Sequence, residues 1–270
     1  MNTPTFWRDD ALPFLEARAI EDGRDICYVK HAHETFSIGL VTGGESLYLN
    51  GRAREHVRSG AVVLMNPGDV HACNPLGGQP WSYRMFHVDS RWLGALQGDP
   101  ERGGDTAFLP YAAIASRSAE LYARLEALYA LCASPLAAAL EKQDAALDFF
   151  ARMHDMLQPA PAVARRPERQ VLRAAEYLRD NRTGTPKLED LCAAAGLSPS
   201  YLIRAFKARY GMTPHAYLVN CRIQYCRERL RRGHPIADVA LAAGFADQAH
   251  LQRTFKRHVA ATPGQYRRQP

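Results

Sequence analysis

A segment of about two dozen residues occurs twice in the last third of the chain. The first copy, AGLSPSYLIRAFKARYGMTPHAY, covers residues 195–217, and the second, AGFADQAHLQRTFKRHVAATPGQY, covers residues 243–266. Five identical residues recur at a spacing of 49 positions: Leu202 and Leu251, Phe206 and Phe255, Lys207 and Lys256, Pro214 and Pro263, Tyr217 and Tyr266. Gly196 matches Gly244 at a spacing of 48, so the second turn holds one extra residue. The repeat predicts two helix-turn-helix units in one small domain.

The second helix of each unit has one apolar face and one mostly polar or basic face. Leu202 with Phe206, and Leu251 with Phe255, step by four residues and predict the buried face. On or near the exposed faces we place Ser200, Ile203, Arg204 and Lys207 in the first unit, and Gln248, His250, Gln252, Arg253 and Lys256 in the second. Arginine and glutamine can bond to base edges, and lysine suits phosphate contacts. The two units therefore predict a module that reads two stretches of DNA major groove.

Charge is distributed unevenly along the chain. Residues 1–159 contain 14 Lys or Arg and 20 Asp or Glu, a net charge of −6, whereas residues 160–270 contain 20 and 8, a net charge of +12. A basic half is expected where one domain meets a polyanion. The six cysteines show no metal-ligand spacing, which favours reduced thiols in a cytoplasmic protein. We find no membrane span and no signal peptide in the sequence, so we expect no membrane partner.

The first part of the chain has a β-type pattern. Short segments rich in Val, Ile, Tyr and Phe are separated by turn signals at roughly ten-residue spacing, which predicts an antiparallel sandwich or barrel over about residues 25–90. From Arg117 the period becomes helical and predicts a hairpin of two amphipathic helices over about residues 117–156. The apolar positions of its second helix are Leu136, Leu140, Leu147, Phe150 and Met153. This hairpin either pairs with a second subunit or covers the barrel, and the two roles are compatible.

These patterns predict an α+β protein of two domains. Residues 1–157 form the N-terminal β-barrel with its helical hairpin. Residues 158–167 lack periodicity and are rich in Pro, Ala and Arg, which is typical of a linker. Residues 168–270 form an all-α domain with helix-turn-helix units at about 188–210 and 236–259.

The C-terminal sequence, from about residue 171 to 268, resembles the AraC/XylS family of bacterial transcription regulators. The second unit carries the resemblance through Ile236, AGF at 243–245, FK at 255–256 and PGQY at 263–266. The resemblance implies a DNA-binding domain with two tandem readers of the major groove. It also implies an activator that contacts RNA polymerase.

The resemblance further implies which residues read bases. These are Ser200, Ile203 and Arg204 in the first unit, and Gln248, Gln252 and Arg253 in the second, with His250 as an additional candidate. Ile203 departs from the polar residue often found at its position. An apolar side chain can contact a thymine methyl group, so this departure predicts a different site preference and not a loss of binding.

The N-terminal sequence resembles the cupin-like effector domain that is joined to many AraC-type regulators. HAHETFSIGLVTGG at 31–44 and GAVVLMNPGDVHACN at 60–74 carry this resemblance. Metal-binding cupins follow their HxH motif with a glutamate, but Ser37 and Ile38 stand at that place here, and Glu34 would point to the opposite face of a strand from His33.

The histidines of this region, His31, His33 and His71, have three possible roles. They could form a metal site of histidines and water, belong to a polar effector pocket, or be structural residues near the barrel rim. We expect the effector pocket, with no metal and no cofactor. The candidate effector-binding residues are His31, His33, Phe36, Tyr48, His71 and Tyr83.

The sequence as a whole predicts a DNA-binding transcription regulator controlled by a small-molecule effector in the N-terminal barrel. We expect it to bind double-stranded promoter DNA as a homodimer and not to be an enzyme. The alternative is a metal-dependent cupin enzyme that carries a DNA-binding domain. The absence of the cupin glutamate from the motif argues against that alternative.

Overall fold

The computed structural model describes residues 4–98, 107–157 and 169–268, so the predicted linker at 158–167 lies outside the described residues. The strands of the N-terminal part are β1 (Thr5–Arg8), β2 (Leu15–Ile20), β3 (Phe36–Gly43), β4 (Glu45–Asn50), β5 (Ala53–Arg58), β6 (Val62–Met65), β7 (His71–Pro75), β8 (Ser82–Val88) and β9 (Ala115–Ser116). Its helices are α1 (Ser90–Gln97), α2 (Ala119–Ala133) and α3 (Ala139–Met156).

Two antiparallel sheets build the N-terminal part. The larger has the strand order β1–β2–β8–β3–β6–β9, and the smaller has the order β5–β4–β7. Strands β1 and β2 lie before residue 25, where the barrel was predicted to begin. The sequence prediction did not include them, because charged residues interrupt their apolar pattern. Those charges, Glu16 and Arg18 on β2, are nevertheless buried.

Strand alternation gives the larger sheet two buried faces. On β3, Phe36 and Ile38 pack in one apolar core with α2 and α3, whereas Val41 faces the space between the two sheets. From the smaller sheet, Tyr48 reaches across that space and donates a hydrogen bond from its hydroxyl to the carbonyl of Leu64, at 2.6 Å. The barrel interior therefore lies between the sheets, and the helices cover the outside of the larger one.

Helices α2 and α3 are the two helices of the hairpin, and α3 buries only part of its predicted apolar face. Helix α2 buries Leu121, Leu125, Leu128 and Cys132, which lie on one face of the helix. Helix α3 buries its predicted Phe150 and Met153, together with Lys142, Ala146 and Phe149. Three predicted apolar positions stay exposed instead: Leu136 (94%), Leu140 (67%) and Leu147 (44%). The phenylalanine pair fills the space under the sheet, so these leucines are left on the outer surface.

Seven helices make up the described C-terminal part. They are α4 (Arg169–Asp180), α5 (Leu188–Ala195), α6 (Pro199–Tyr210), α7 (Pro214–Arg231), α8 (Ile236–Ala242), α9 (Gln248–Val259) and α10 (Pro263–Arg268). The first helix-turn-helix unit is α5–α6 and the second is α8–α9. Leu218 of α7 joins the core of the first unit, and Ile223, Cys226 and Leu230 join that of the second. Helix α7 is therefore the shared support of the two units.

Glycine makes the turn in both units. Gly196 has φ 64° and Gly244 has φ 76°, in the left-handed region that favours glycine. At Gly244 a Cβ atom would also lie 2.9 Å from the carbonyl oxygen of Thr183. A side chain at this turn would meet both backbone strain and a steric clash.

The two parts of the chain pack directly against each other. Phe6 of β1 belongs to the apolar core of the second unit, with its ring 5.1 Å from that of Tyr266. Val70 of the barrel packs with Met212, in the turn between α6 and α7. Asn220 of α7 accepts a hydrogen bond from the backbone N–H of Ala32 at 3.2 Å. These contacts place α7 across the open end of the barrel.

Candidate effector pocket and DNA interface

A pocket lies where α7 and the end of α9 cover the barrel. The barrel contributes Arg18, Tyr28, Trp81, Tyr83 and four histidines: His31, His33, His71 and His87. The helical part contributes Ile223, Gln224, Arg227, His258 and Val259. Because both parts of the chain form its walls, an occupant that fills the pocket touches the barrel and the C-terminal helices together.

Three of these histidines converge within the pocket. His31 and His71 are paired across an isolated antiparallel bridge, with mutual backbone hydrogen bonds of 3.1 and 2.9 Å. His33 lies two residues beyond His31, on the same side of the extended chain. The ring centroid of His71 is 4.4 Å from that of His31 and 4.7 Å from that of His33. His87 on β8 lies beside His33, and its Nδ1 is 2.7 Å from the hydroxyl of Ser37.

Burial keeps these imidazoles neutral. It lowers the pKa of His71 to about 4, although the backbone carbonyl and the charge of Asp69 oppose that shift. Burial, reinforced by the neighbouring histidines, also lowers the pKa of His31 and His33 well below the usual range. At neutral pH each ring therefore carries one proton and one free lone pair.

Arg18 is the buried cation of the pocket. It donates one hydrogen bond to the hydroxyl of Tyr83 at 2.5 Å and another to the carbonyl of Val259, at the end of α9, at 3.0 Å. Burial raises the pKa of Tyr28 and of Tyr83, so both phenols stay neutral beside the guanidinium. Within the described residues, the Nε of Arg18 and the Nε1 of Trp81 are buried without a hydrogen-bond partner. Unsatisfied buried donors of this kind mark a place for an acceptor.

A buried ion cluster ties the barrel to α7 next to this pocket. Glu16 accepts hydrogen bonds from Arg8 at 2.8 Å, from Arg227 at 3.1 Å and from the hydroxyl of Tyr266 at 3.2 Å. Burial by itself would raise the pKa of Glu16, but Arg227 and Arg8 hold it below its usual range. This carboxylate is therefore charged and shared between strands β1 and β2 and helices α7 and α10.

The structure brings four of the six candidate effector-binding residues together and leaves two outside. His31, His33, His71 and Tyr83 line the pocket. Phe36 does not, because strand alternation turns it towards α2 and α3. Tyr48 does not either, and its hydroxyl is bound to the carbonyl of Leu64.

Other pocket residues carried weak signals in the sequence. Arg18 and Tyr28 lie at or before the predicted start of the barrel. In the sequence, only the alternation of side chains along β2 indicates that Arg18 faces the barrel interior. Arg227 and His258 belong to the DNA-binding helices, about 200 residues away from the barrel motifs in the sequence. Only the packing of the two parts reveals these two as pocket residues.

All nine candidate DNA-binding side chains are exposed on α6 and α9. Their helices bury the opposite faces, Leu202 and Phe206 on α6 and Leu251, Phe255 and Val259 on α9. The exposed residues are Ser200, Ile203, Arg204, Lys207, Gln248, His250, Gln252, Arg253 and Lys256. Asp247 caps α9 by accepting a hydrogen bond from the N–H of His250 at 2.6 Å. The ring of His250 meets that of Phe245 edge-on at 5.2 Å.

A β-rich ligand-binding part joined to a double helix-turn-helix part defines a regulator that couples small-molecule binding to DNA binding. Comparisons with known proteins agree with this class. Residues 15–149 match the AraC-like ligand binding domain, and residues 191–269 match a helix-turn-helix domain family. The chain belongs to the AraC family of transcriptional regulators.

Relatives and solved structures show the same architecture. The chain is 27% identical to the uncharacterized HTH-type transcriptional regulator YbfI of Bacillus subtilis (strain 168) over 227 residues, which cover 83% of this chain and 81% of YbfI. An apo variant of ToxT from Vibrio cholerae strain SCE256 superimposes with a TM-score of 0.60 at 12% identity, covering 94% of this chain and 96% of ToxT. ToxT with a bound unsaturated fatty acid gives a TM-score of 0.58 at 11% identity, covering 98% and 94%. The likeness to ToxT concerns the fold.

The chain is thus an AraC-family DNA-binding transcription regulator with a ligand-binding domain. None of the helices in the described ranges combines the length and apolar character needed to cross a membrane.

Proposed function

We propose that this regulator reads promoter DNA with the nine exposed side chains of α6 and α9. The observation that carries this proposal is the division of each helix into a fully buried apolar face and an exposed face rich in Arg, Lys and Gln. Helix α7, with 18 residues, is about 27 Å long and supports both units. That length suits two helices that enter the major groove about one turn of DNA apart, roughly 34 Å.

Selection of bound DNA from a random pool with the full-length chain tests this function. The expected product is one site with two sequence blocks about one helical turn apart. Failure to enrich any sequence with a folded sample, with and without candidate effectors, would contradict sequence-specific binding.

The effector is a small molecule with a carboxylate and an apolar body. Arg18 supplies a buried positive charge with an unpartnered Nε, and the Nε1 of Trp81 supplies a second unpartnered donor. Apolar side chains, Val63, Met65 and Met85 of the barrel and Ile223 of α7, form much of the remaining wall. This chemistry suits an unsaturated fatty acid, the kind of molecule that ToxT binds in one solved structure. A buried charge-assisted hydrogen bond to a carboxylate is the interaction that selects this class.

Effector binding acts on DNA binding through the shared walls of the pocket. Arg18 bonds to the end of α9, and Gln224 of α7 donates a hydrogen bond to the carbonyl of Ala32 at 3.0 Å. A ligand beside these groups changes the relative free energies of the docked and undocked arrangements of the two parts. Coupling between two such sites is typically about 1–3 kcal/mol.

Replacing Arg18 by glutamine should weaken binding of an unsaturated fatty acid about 10–150-fold, because a hydrogen bond to a charged group contributes about 1.5–3 kcal/mol. The measurement is calorimetric titration of the full-length protein. Arg18→Lys keeps the charge and should lose less. The methyl ester of the same acid is the uncharged control, and equal affinities for acid and ester would contradict a role for the carboxylate.

The outer face of the helical hairpin is the proposed homodimer surface. Leu140 and Leu147 lie seven residues apart on one face of α3, and the exposed Leu136 precedes them. Three neighbouring exposed leucines form an apolar patch of the kind that marks a protein interface. These leucines lie outside the buried stripe of α3, which contains Phe149 and Phe150.

The double variant Leu140→Glu/Leu147→Glu should raise the dimer dissociation constant at least about 100-fold, since burying each leucine contributes about 1.5–3 kcal/mol. Analytical ultracentrifugation of the full-length protein measures this. Leu109→Glu is the matched control, because Leu109 is 45% exposed and lies outside the hairpin. A dimer that survives the double variant unchanged places the interface elsewhere.

In this function the protein is a regulator and not an enzyme. Its further partner is RNA polymerase, as the resemblance to AraC-type activators implies, and its place of action is the cytoplasm. The uneven charge, +12 over residues 160–270, favours DNA as the main macromolecular partner of the C-terminal part.

A further inference from the structure

The three converging histidines of the pocket share one hydrogen-bond arrangement. The Nδ1 atoms of His31, His33 and His71 lie 2.8, 3.0 and 2.9 Å from the backbone carbonyl oxygens of Val29, Thr35 and Asp69. A carbonyl oxygen can only accept, so each Nδ1 donates its proton and each Nε2 carries the lone pair. Each carbonyl belongs to a residue two positions away, so the local backbone fixes the three tautomers.

The free Nε2 atoms have little else to bind. Within the described residues, the Nε2 atoms of His31 and His71 have no hydrogen-bond partner, and the Nε2 of His33 meets only the hydroxyl of Ser37 at 3.5 Å. A backbone carbonyl behind each imidazole is also the arrangement that orients histidines which bind metals.

The spacing of these groups suits one metal ion. One ring nitrogen from each of the three histidines lies within 4.8 Å of the other two. A tetrahedral site with metal–nitrogen distances of about 2.0–2.1 Å requires nitrogens about 3.4 Å apart. Rotations of the side chains by roughly 1 Å at the ring nitrogens would close the difference.

We propose that His31, His33 and His71 bind one divalent transition metal ion of the zinc class, with a fourth coordination position open to the pocket. Neutral imidazole is a preferred ligand of zinc, nickel and cobalt. Three histidines with a free fourth position form an open site and not a closed structural one. The ion would sit between the two sheets, a short distance from α7 and α9.

The charge around the site determines the fourth ligand. Arg18 and Arg227 both line the pocket and disfavour a cation that has no accompanying anion. Asp69, whose carbonyl holds His71, accepts hydrogen bonds from Asn66 and Asn50 at its carboxylate Oδ2 and does not belong to the histidine group. The fourth ligand is therefore an exogenous anion such as hydroxide, chloride or a carboxylate. The metal site requires only barrel residues, so metal binding does not depend on the proposed DNA contacts.

Titration of metal-free full-length protein with Co²⁺ tests this proposal. The expected result is one equivalent bound per chain, with the intense visible absorption of a four-coordinate ion, and displacement of that ion by Zn²⁺. The wild-type protein alone suffices for this measurement. Absence of saturable binding, or the weak spectrum of an octahedral ion, would overturn the site.

Variants identify the ligands. His31→Gln and His71→Gln should each weaken binding at least about 100-fold, because loss of a supporting hydrogen bond alone costs about 10–100-fold. His87→Gln is the matched control: His87 is buried in the same pocket, but it does not belong to the group of histidines whose ring nitrogens lie within 4.8 Å of one another. Equal loss in all three variants would contradict the assignment of ligands. Circular dichroism of each variant separates loss of a ligand from loss of the fold.

Discussion

Replacing Glu16 by glutamine should lower the free energy of unfolding by about 3–5 kcal/mol, the typical cost of breaking a buried ion pair. Glu16 is only 3% exposed, and it neutralises Arg8 and Arg227, which are also largely buried. The variant would remove the buried carboxylate that both guanidinium groups contact. Because Arg227 belongs to α7, the loss should also loosen the contact between the barrel and the DNA-binding helices.

Chemical denaturation of the full-length protein measures this effect, and Glu126→Gln provides the matched control. Glu126 pairs with Arg84 at 3.4 Å, but its side chain is 47% exposed. Exposed pairs typically contribute about 0–1 kcal/mol. If Glu16→Gln and Glu126→Gln lower the free energy of unfolding equally, the buried ion cluster around Glu16 does not hold the two parts of the chain together.

The same carboxylate predicts the pH dependence of stability. The pKa of Glu16 is lowered in the folded protein, so its contribution is present above the pKa of the unfolded chain, about 4.3, and is lost as the pH falls through the folded value. The difference in stability between the wild type and Glu16→Gln should therefore be greatest near neutral pH and shrink in acid. A difference that grows on acidification would contradict the sign of this linkage.

The C-terminal part was predictable from sequence because its signals are local. Glycine at a left-handed turn, proline at the first position of α6 and α7, and apolar residues spaced by four depend on neighbours within one or two turns of helix. Gly196 and Gly244 are therefore as informative in the sequence as in the structure.

The pocket was only partly predictable, because its members meet through tertiary packing. The two histidines of the HxH motif, His31 and His33, share a side of the chain by strand alternation, so sequence could group them. The same alternation directs Phe36 into the core with α2 and α3, where it packs with Ile38. Arg227 could not be assigned, because its side chain enters the pocket only where α7 crosses the barrel. When a helix is buried on both sides, its sequence alone does not indicate which side faces a ligand.

The exposed leucines of α3 illustrate a second limit of sequence patterns. Helical periodicity located the hairpin, but two apolar faces compete on α3, one with Phe149 and Phe150 and one with Leu140 and Leu147. The larger aromatic side chains bury more area and fill the core under the sheet. Periodicity alone does not rank two apolar faces, and only packing shows which one is left for a partner.

Arg253→Ala and Lys256→Ala should affect DNA binding in different ways, although both residues lie exposed on α9. Loss of a base-contacting arginine should cost about 1–3 kcal/mol at the selected site and relax specificity at one base position. Loss of a phosphate-contacting lysine should weaken binding to all sequences about equally. Equilibrium binding to the selected site and to scrambled DNA measures both effects. If Arg253→Ala weakens binding to scrambled DNA equally, Arg253 is a phosphate contact.

Salt dependence provides an independent count of the phosphate contacts. Four basic residues suit phosphates, Lys207, Lys256, Arg257 and Arg267. Four contacts predict a log–log slope of about −3.6, which corresponds to about 150-fold weaker binding at 200 mM than at 50 mM salt. Lys256→Ala should reduce that slope by about 1, whereas Arg253→Ala should leave it nearly unchanged if Arg253 contacts a base. Because counterion release depends only on neutralised phosphates, a flat salt response would exclude electrostatic contact between these residues and DNA, whatever sequence is bound.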